Sequence, residues 1–200
     1  MLTNPNALII FIRNPIRGKV KTRLAQTLGE AKALDIYKEL LEITRQQSIK
    51  VNAQCYLYYS DHIELDAWSE TTFIKKVQSG IDLGDRMSNA FHEVLQIHSK
   101  AIIIGSDCPY ITSLLLNQAF NLLTTKDIII GPAIDGGYYL LGMKSNIDSV
   151  FKSMPWSESS LYEKTIEKLN QLNFTHSSLI KLEDIDTEEE WNRYIQIQGK

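Results

Sequence analysis

The residues best suited to chemistry are five cations close together near the N-terminus. The stretch RNPIRGKVKTRL contains them within eleven residues, and no acidic residue occurs between positions 13 and 29. Because Arg offers a bidentate fork and Lys a point charge, such a run is suited to binding phosphate groups. The spacing of a Walker loop is missing, and a solvated surface loop with scattered charge is the alternative. The five cations are Arg13, Arg17, Lys19, Lys21 and Arg23.

A second candidate is the carboxylate in the stretch IIIGSDCPYIT. Asp107 lies two residues beyond an apolar run, and Gly105 permits a close turn there. A carboxylate in this position can hold Mg²⁺ or Mn²⁺, which then bridges to phosphate oxygens. An Asx-type turn before the helix predicted from position 113 is an equally good interpretation of this motif alone.

A third candidate is the Asp-Gly-Gly in GPAIDGGYYLLG. Asp135 adds another carboxylate, and Gly136 and Gly137 would let a ligand approach the backbone. A plain hairpin turn is the alternative, because Asp-Gly is a strong hairpin signal. The tyrosines that follow, Tyr138 and Tyr139, are more typical of packing within a sheet.

Other polar residues carry weaker signals. In LEDIDTEEEW, Asp184 or Asp186 could be a further metal ligand, although Thr187 and Glu190 form a capping box that explains the local acidity. Trp156 could stack on a base or a sugar, but a large aromatic side chain is more often part of a core. The histidines form no close cluster, so neither a catalytic triad nor a zinc site is predicted. They are His62, His92, His98 and His176.

Strands and helices alternate along the chain in the way that would position these motifs. Apolar runs predict strands at 7–13, 53–60, 73–78, 101–105, 127–131, 138–143 and 175–182. Helical spacing predicts helices at 30–47, 83–98, 113–123, 157–173 and 188–196. This alternation indicates one α/β domain over residues 1–200 with a mostly parallel sheet. Each of the three motifs follows a strand, and such sheets bind ligands beyond the carboxyl ends of their strands.

Composition narrows the class of partner. The 200 residues carry a formal net charge of -3, which argues against nucleic acid and favours a small anion such as a phosphate ester. Two cysteines, Cys55 and Cys108, have no metal-type spacing and give no disulfide framework. No apolar run approaches the ~20 residues that cross a bilayer, and the N-terminus lacks the pattern of a signal peptide. We therefore expect a cytoplasmic protein without a membrane span.

Taken together, the motifs resemble a known family. FIRNPIRGKVKTRLAQTLG, DLGDRM, IIIGSDCPYIT, GPAIDGGYYLLG, MPWS and LEDIDTEEEW occur in this order over nearly the whole chain. They resemble the small bacterial GT-A-like glycosyltransferases known as radical-SAM/selenodomain-associated transferases, which are related to the guanylyltransferases of molybdenum-cofactor and phospholactate metabolism. The resemblance implies a three-layer α/β/α sandwich with the nucleotide-diphospho-sugar transferase fold, called GT-A.

The resemblance also implies roles for individual residues. The first loop would hold nucleotide phosphates and Asp107 would hold the metal, while Asp135 and the glycines after it would lie on the acceptor side. Transferases of this fold often carry an Asp-x-Asp metal motif, whereas this chain has Ser106-Asp107-Cys108. A second metal ligand must therefore come from elsewhere in the chain, or from substrate phosphates and water.

We therefore expect a metal-dependent transferase with a nucleotide or nucleotide-sugar donor and a small-molecule acceptor. Glycosyl transfer is favoured, nucleotidyl transfer to a phosphorylated small molecule is the alternative, and a non-catalytic nucleotide-binding protein is the second alternative. The expected metal ligands for Mg²⁺ or Mn²⁺ are Asp107 and Asp186. The expected catalytic residues are Lys21, Arg23 and Asp135. The expected nucleotide-binding residues are Arg13, Arg17, Gly18, Lys19, Lys21, Thr22, Arg23, Gly136 and Gly137.

Overall fold

The computed structural model of this protein describes residues 4–199, which form an alternating series of strands and helices. The strands in this part of the chain are β1 (Asn6–Ile12), β2 (Gln54–Tyr59), β3 (Phe73–Val77), β4 (Lys100–Ile104), β5 (Ile128–Pro132), β6 (Tyr138–Met143) and β7 (His176–Ser178). The helices are α1 (Thr22–Ser48), α2 (Leu83–Leu95), α3 (Ser113–Leu122), α4 (Leu161–Gln171) and α5 (Glu188–Gln198). A short 3₁₀ turn, Asp148–Val150, lies between β6 and α4.

The strands form one mixed sheet in the order β3-β2-β1-β4-β6-β5-β7. All neighbours are parallel except β6, which runs antiparallel to both β4 and β5. The register pairs Ile10 with Ile104 and Ile104 with Leu140. The ends of β1 and β4 and the beginning of β6 therefore meet at one edge of the sheet, which is where the three sequence motifs lie.

Helices cover both faces of the sheet. On one face, Tyr37 of α1 and Phe120 of α3 pack against strand residues such as Ile10. On the other face, Phe91 of α2 and Leu169 of α4 pack against alternate strand residues. Helix α5 packs on the outer side of α1. The predicted α/β sandwich with a mostly parallel sheet is therefore confirmed.

Several element boundaries differ from the sequence prediction. Helix α1 begins at Thr22 rather than at position 30, because the basic run continues into a helical turn and only Gly29, with φ 80°, interrupts it. Helix α4 begins at Leu161 rather than at 157, because Ser157 adopts a left-handed conformation with φ 66°. The last predicted strand, 175–182, shortens to β7 and an isolated bridge at Leu182. Within residues 4–199, no helix combines the length and apolar character needed to span a bilayer.

Candidate active site

An open cleft of about 490 Å³ lies at the edge where β1, β4 and β6 meet. Eight of the residues predicted for the site line this cleft. They are Arg13, Lys21, Thr22, Arg23, Asp107, Asp135, Gly137 and Asp186. The other predicted residues, Arg17, Gly18, Lys19 and Gly136, belong to the adjoining turns rather than to its lining.

A buried asparagine anchors the segment that follows β1. The Oδ1 atom of Asn14 accepts hydrogen bonds from Asp61 N (3.0 Å) and Ser60 Oγ (3.2 Å). Its Nδ2 atom donates to His62 O and Glu64 Oε1, both at 2.8 Å. These bonds fasten the end of β1 to the loop after β2. Sequence reasoning missed this role, and the only available signal was the Asn-Pro turn dipeptide.

A tyrosine of α1 joins the ends of β1 and β4. The hydroxyl of Tyr37 accepts from Arg13 N (2.8 Å), donates to Arg13 O (3.1 Å) and lies 3.3 Å from Ser106 Oγ. Burial, followed by the negative charge of Asp107, raises the pKa of Tyr37 well above its usual range. The hydroxyl therefore stays protonated and fixes the relative position of the two strand ends. Its helical spacing had suggested only core packing.

The centre of the site is a lysine between two carboxylates. Lys21 Nζ lies 2.7 Å from Asp107 Oδ1 and 3.0 Å from Asp186 Oδ1, and the Lys21 side chain is only 4% exposed. Burial lowers the pKa of Lys21, but the charges of Asp107 and Asp186 outweigh this effect and leave it above the ordinary value. The ammonium is therefore protonated. The chain thus brings together residues that are far apart in sequence.

The backbone at this lysine is unusual. Lys21 precedes the first turn of α1 with φ 48° and ψ 47°, which is the left-handed region. A residue with a Cβ atom adopts this conformation at a cost of about 1–2 kcal/mol. The turn directs the Lys21 side chain into the cleft, where both carboxylates meet it.

Two guanidinium groups border the cleft. Arg23 lies with its Nη1 atom 4.0 Å from Asp186 Oδ2, and its side chain is 74% exposed. Arg13 is also exposed and lines the cleft beside the end of β1. Solvent-accessible guanidinium groups can form bidentate contacts with phosphate oxygens.

The basic segment, residues 13–23, also has a part that lies outside the cleft lining, residues 16–19. Arg17 Nε lies 3.3 Å from Glu30 Oε2 at the surface, and Lys19 is exposed. Gly18, with φ 75°, forms the turn between them. The structure therefore divides the five predicted cations into those at the cleft and those outside it.

A further acid, Asp184, lines the cleft near Lys21 and its two carboxylate partners. The Oδ1 atom of Asp184 is buried and has no hydrogen-bond partner among residues 4–199. Burial, followed by the charges of Asp107 and Asp135, raises the pKa of Asp184 to about 7. Asp184 thus carries a proton at mildly acidic pH and ionises near neutrality. The sequence had offered Asp184 and Asp186 as alternatives, and both line the cleft.

The Asp-Gly-Gly motif is the turn between β5 and β6, as the hairpin interpretation required. The Oδ1 atom of Asp135 accepts from Gly137 N at 2.9 Å. Gly136 has φ 93°, and a Cβ atom there would lie 1.9 Å from Ser159 O. Gly136 is therefore required for close packing of the turn. Asp135 and Gly137 line the cleft, because the antiparallel β6 begins at the same edge as the end of β4.

One wall of the cleft is apolar. Trp156 is half-buried and lines it together with Leu83, Met87 and Tyr138. A Cβ atom at Gly84 would lie 2.6 Å from the Trp156 ring, so the glycine at the start of α2 leaves room for the indole. Trp156 therefore belongs to the core and to the cleft at once.

Two carboxylates are available for a divalent cation. No group of three or more His, Cys, Asp or Glu side chains within residues 4–199 could hold a metal ion. Mg²⁺, however, commonly uses only one or two protein carboxylates and completes its coordination with water and substrate phosphates. Asp107 and Asp186 already converge on a single positive group. Their donor atoms and charge therefore fit a cation that is shared with a phosphorylated ligand.

Comparison with solved structures identifies the fold. A protein from Desulfovibrio desulfuricans G20, provisionally described as a nucleotide-diphospho-sugar transferase, is 28% identical with a TM-score of 0.90, covering 99% of this chain and 89% of its own. The 4-diphosphocytidyl-2C-methyl-D-erythritol synthase from Anaerococcus prevotii is 10% identical with a TM-score of 0.65, covering 98% of both chains. Rv0371c from Mycobacterium tuberculosis, solved with manganese, is 13% identical with a TM-score of 0.53, covering 97% of this chain and 99% of its own. Among curated proteins, none matches the chain significantly.

Fold and cleft together define a transferase-like enzyme with the nucleotide-diphospho-sugar transferase fold, in agreement with the GT-A-like family that the motifs resemble. The chain belongs to the family described as an uncharacterized protein conserved in bacteria (DUF2064), whose family model matches residues 43–158.

Proposed function

We propose that this chain is a metal-dependent glycosyltransferase that takes a nucleotide sugar as donor and a small molecule as acceptor. The observation that carries the proposal is the carboxylate pair Asp107 and Asp186 around the Lys21 ammonium, with Arg23 at the rim of the same cleft. This arrangement offers both a place for a cation and donors for phosphate oxygens. The proposal is also supported by the description of the Desulfovibrio protein, which is similar over nearly the whole chain.

Charge stabilisation is the contribution expected of this cleft. When a sugar leaves a nucleoside diphosphate, negative charge develops on the phosphate oxygens. Arg13 and Arg23 can donate hydrogen bonds to these oxygens, and groups fixed in advance stabilise developing charge most effectively. A divalent cation held by Asp107 and Asp186 would supply further positive charge at the phosphates. Without a divalent cation, the two carboxylates face only the single positive charge of Lys21, and the remaining negative charge would repel the donor.

The acceptor side is assigned to the turn between β5 and β6. Asp135 is exposed, and its Oδ1 atom already accepts the N–H of Gly137. Its carboxylate can accept a proton from an acceptor hydroxyl, and the absence of a side chain at Gly137 leaves room beside it. Asp135 is therefore our candidate for the catalytic base.

Nucleotidyl transfer is the second candidate. The similarity in fold to a diphosphocytidyl synthase favours it, as does the number of cations, because a triphosphate carries more charge than a diphosphate. In that reaction the products would include pyrophosphate rather than a nucleoside diphosphate. A non-catalytic nucleotide-binding protein would bind such ligands without turning them over.

We also propose that the protein is located in the cytoplasm. Cys55 and Cys108 are buried free thiols, which fits a reducing compartment such as the cytoplasm.

The test compares wild type with Asp107→Asn. Asn keeps the shape of the Asp107 side chain but removes its charge, so the fold should survive. A thermal-shift screen of nucleotides and nucleotide sugars selects the donor, and calorimetry then measures its affinity with and without Mn²⁺. Mn²⁺ should tighten donor binding in wild type but not in Asp107→Asn, and turnover should fall by about 10²–10³-fold.

Asp35→Asn is the matched control, because Asp35 is an exposed acid on α1 outside the cleft lining. It should behave as wild type. An equal effect of Mn²⁺ in wild type and Asp107→Asn would contradict the metal assignment. Release of pyrophosphate, measured with a coupled assay, would favour nucleotidyl transfer over glycosyl transfer.

A further inference from the structure

We propose that Lys21 is a tethered competitor of the divalent cation, occupying the Asp107–Asp186 pair until metal and nucleotide phosphates arrive together. This inference rests on the proposed function, since it assumes that the pair is the metal site. The protein would then bind the metal–nucleotide complex in preference to free metal, because Lys21 competes with free metal for the carboxylates.

Geometry makes the two cations mutually exclusive. Lys21 Nζ is within hydrogen-bond distance of one oxygen on each carboxylate. Mg²⁺ requires oxygen ligands at about 2.0–2.1 Å, so an ion bridging the pair would have to occupy the same space as the ammonium. Two positive charges so close together in a partly buried site would repel strongly. Metal binding therefore requires the ammonium to move.

The local backbone supports a functional role for this position. Lys21 adopts the left-handed conformation and has no side-chain cap hydrogen bond. Residues that are held in sparsely populated backbone regions concentrate at ligand clamps and switch segments. Because this conformation carries the ammonium to the carboxylates, its cost is offset by the ion pairs that Lys21 makes.

The displaced ammonium needs a new partner, and a nucleotide supplies one. The cleft is lined by Lys21 and by the guanidinium-bearing Arg13 and Arg23, so phosphate oxygens bound by these arginines would lie near the lysine. Phosphate oxygens would then replace the carboxylates, which the metal would bind, as partners of the Lys21 ammonium. Each ligand should consequently raise the affinity of the other by the same factor, because binding linkage is reciprocal.

The test is a titration of the full chain with Mn²⁺, in which electron paramagnetic resonance measures the free ion. Wild type is compared with Lys21→Met, which keeps the aliphatic length but removes the charge. Without nucleotide, Lys21→Met should bind Mn²⁺ at least about tenfold more tightly than wild type, in the ordinary range of coupling between sites. Inorganic pyrophosphate is the probe for the diphosphate. Calorimetry without metal should show that Lys21→Met binds it more weakly than wild type does.

A second buried lysine provides the matched control. Lys75 Nζ lies 2.8 Å from Asp66 Oδ1, and its side chain is 5% exposed. Neither Lys75 nor Asp66 belongs to the cleft lining. Lys75→Met therefore removes a comparable ammonium elsewhere, and it should leave the affinities for Mn²⁺ and pyrophosphate unchanged.

Lys21→Gly is a second variant for the case that Lys21→Met does not fold, because glycine adopts the left-handed backbone without strain. It should show the same gain in Mn²⁺ affinity. Equal or weaker Mn²⁺ binding in both Lys21 variants would overturn the competition. If wild type requires Mn²⁺ for donor binding while the Lys21 variants show no gain, this inference fails and the proposed function stands. If Mn²⁺ binds neither wild type nor variants, the metal assignment fails with it.

Discussion

The basic segment has an outer and an inner part whose surroundings differ, although each part contains one Arg and one Lys. In the outer part, residues 16–19, Arg17 pairs with Glu30 at the surface and Lys19 is exposed. In the inner part, residues 21–23, Lys21 lies between two carboxylates and Arg23 stands at the cleft rim. The comparison teaches that cations close together in sequence share a cleft only where the backbone turns their side chains into it.

The energetic consequences of the two environments differ. An exposed pair such as Arg17 and Glu30 contributes about 0–1 kcal/mol, because water screens the charges. The Lys21 side chain is 4% exposed, but those of Asp107 and Asp186 are 47% and 42% exposed, so water also screens part of this interaction. Loss of Lys21 should therefore cost more than loss of Arg17 but less than the about 3–5 kcal/mol typical of a fully buried pair. Replacing Lys21 should therefore disturb its surroundings more than replacing Arg17.

Of the two substitutions that should change stability, the larger effect is expected at Asp184, which lines the cleft beside the inner part. The pKa of Asp184 is raised to about 7 in the folded chain, against about 3.9 in an unfolded chain. Ionisation of Asp184 therefore opposes folding increasingly as pH rises from about 4 to 7, and the cost is fully present above pH 7. Asp184→Asn should raise the free energy of unfolding by about 1–3 kcal/mol at pH 8, and by less at pH 5.

Urea denaturation at both pH values, in the presence of EDTA, measures this effect. Asp35→Asn, which changes an exposed acid outside the cleft lining, again serves as the control. If Asp184→Asn raises the free energy of unfolding by the same amount at pH 5 and pH 8, Asp184 does not titrate in this range.

A smaller effect is expected in the outer part. Gly18 has φ 75°, and a Cβ atom there would lie 3.2 Å from Glu30 Oε1, the end of a flexible side chain. Gly18→Ala should therefore lower the free energy of unfolding by about 1 kcal/mol, mainly through the left-handed backbone. Pyrophosphate affinity, measured by calorimetry, should stay at the wild-type value. A large loss of affinity in a stable variant would show that the outer part also binds phosphate.

Much of the fold could be predicted from the sequence because local patterns determine it. The apolar runs located β1, β2, β4, β5 and β6 to within a residue or two, and the Asp-Gly signal identified the turn between β5 and β6. The order of the strands could not be predicted, because the insertion of β6 between β4 and β5 depends on long-range pairing. The start of α1 was also missed, since charged residues hide a helical turn anchored by the buried Leu24.

The candidate site was predictable by residue type but not by arrangement. Asp107 and Asp186 could be named as carboxylates after strands, yet their meeting at Lys21 joins positions 165 residues apart. The anchors Asn14 and Tyr37 were missed, because a buried hydrogen-bonding role leaves little trace in local sequence. The division of the basic segment was missed for a similar reason, since it depends on backbone angles at Gly18 and Lys21.

The central claim is that the inner part of the basic segment binds the donor's phosphates and the outer part does not. Calorimetry with pyrophosphate at saturating Mn²⁺ tests it in two double variants, Lys21→Ala with Arg23→Ala and Arg17→Ala with Lys19→Ala. Both remove two positive charges, so any effect of net charge is the same. The inner variant should lose about 10–100-fold in affinity, as expected for charge-assisted hydrogen bonds, and the outer variant less than about threefold. Equal losses in the two variants would contradict the account.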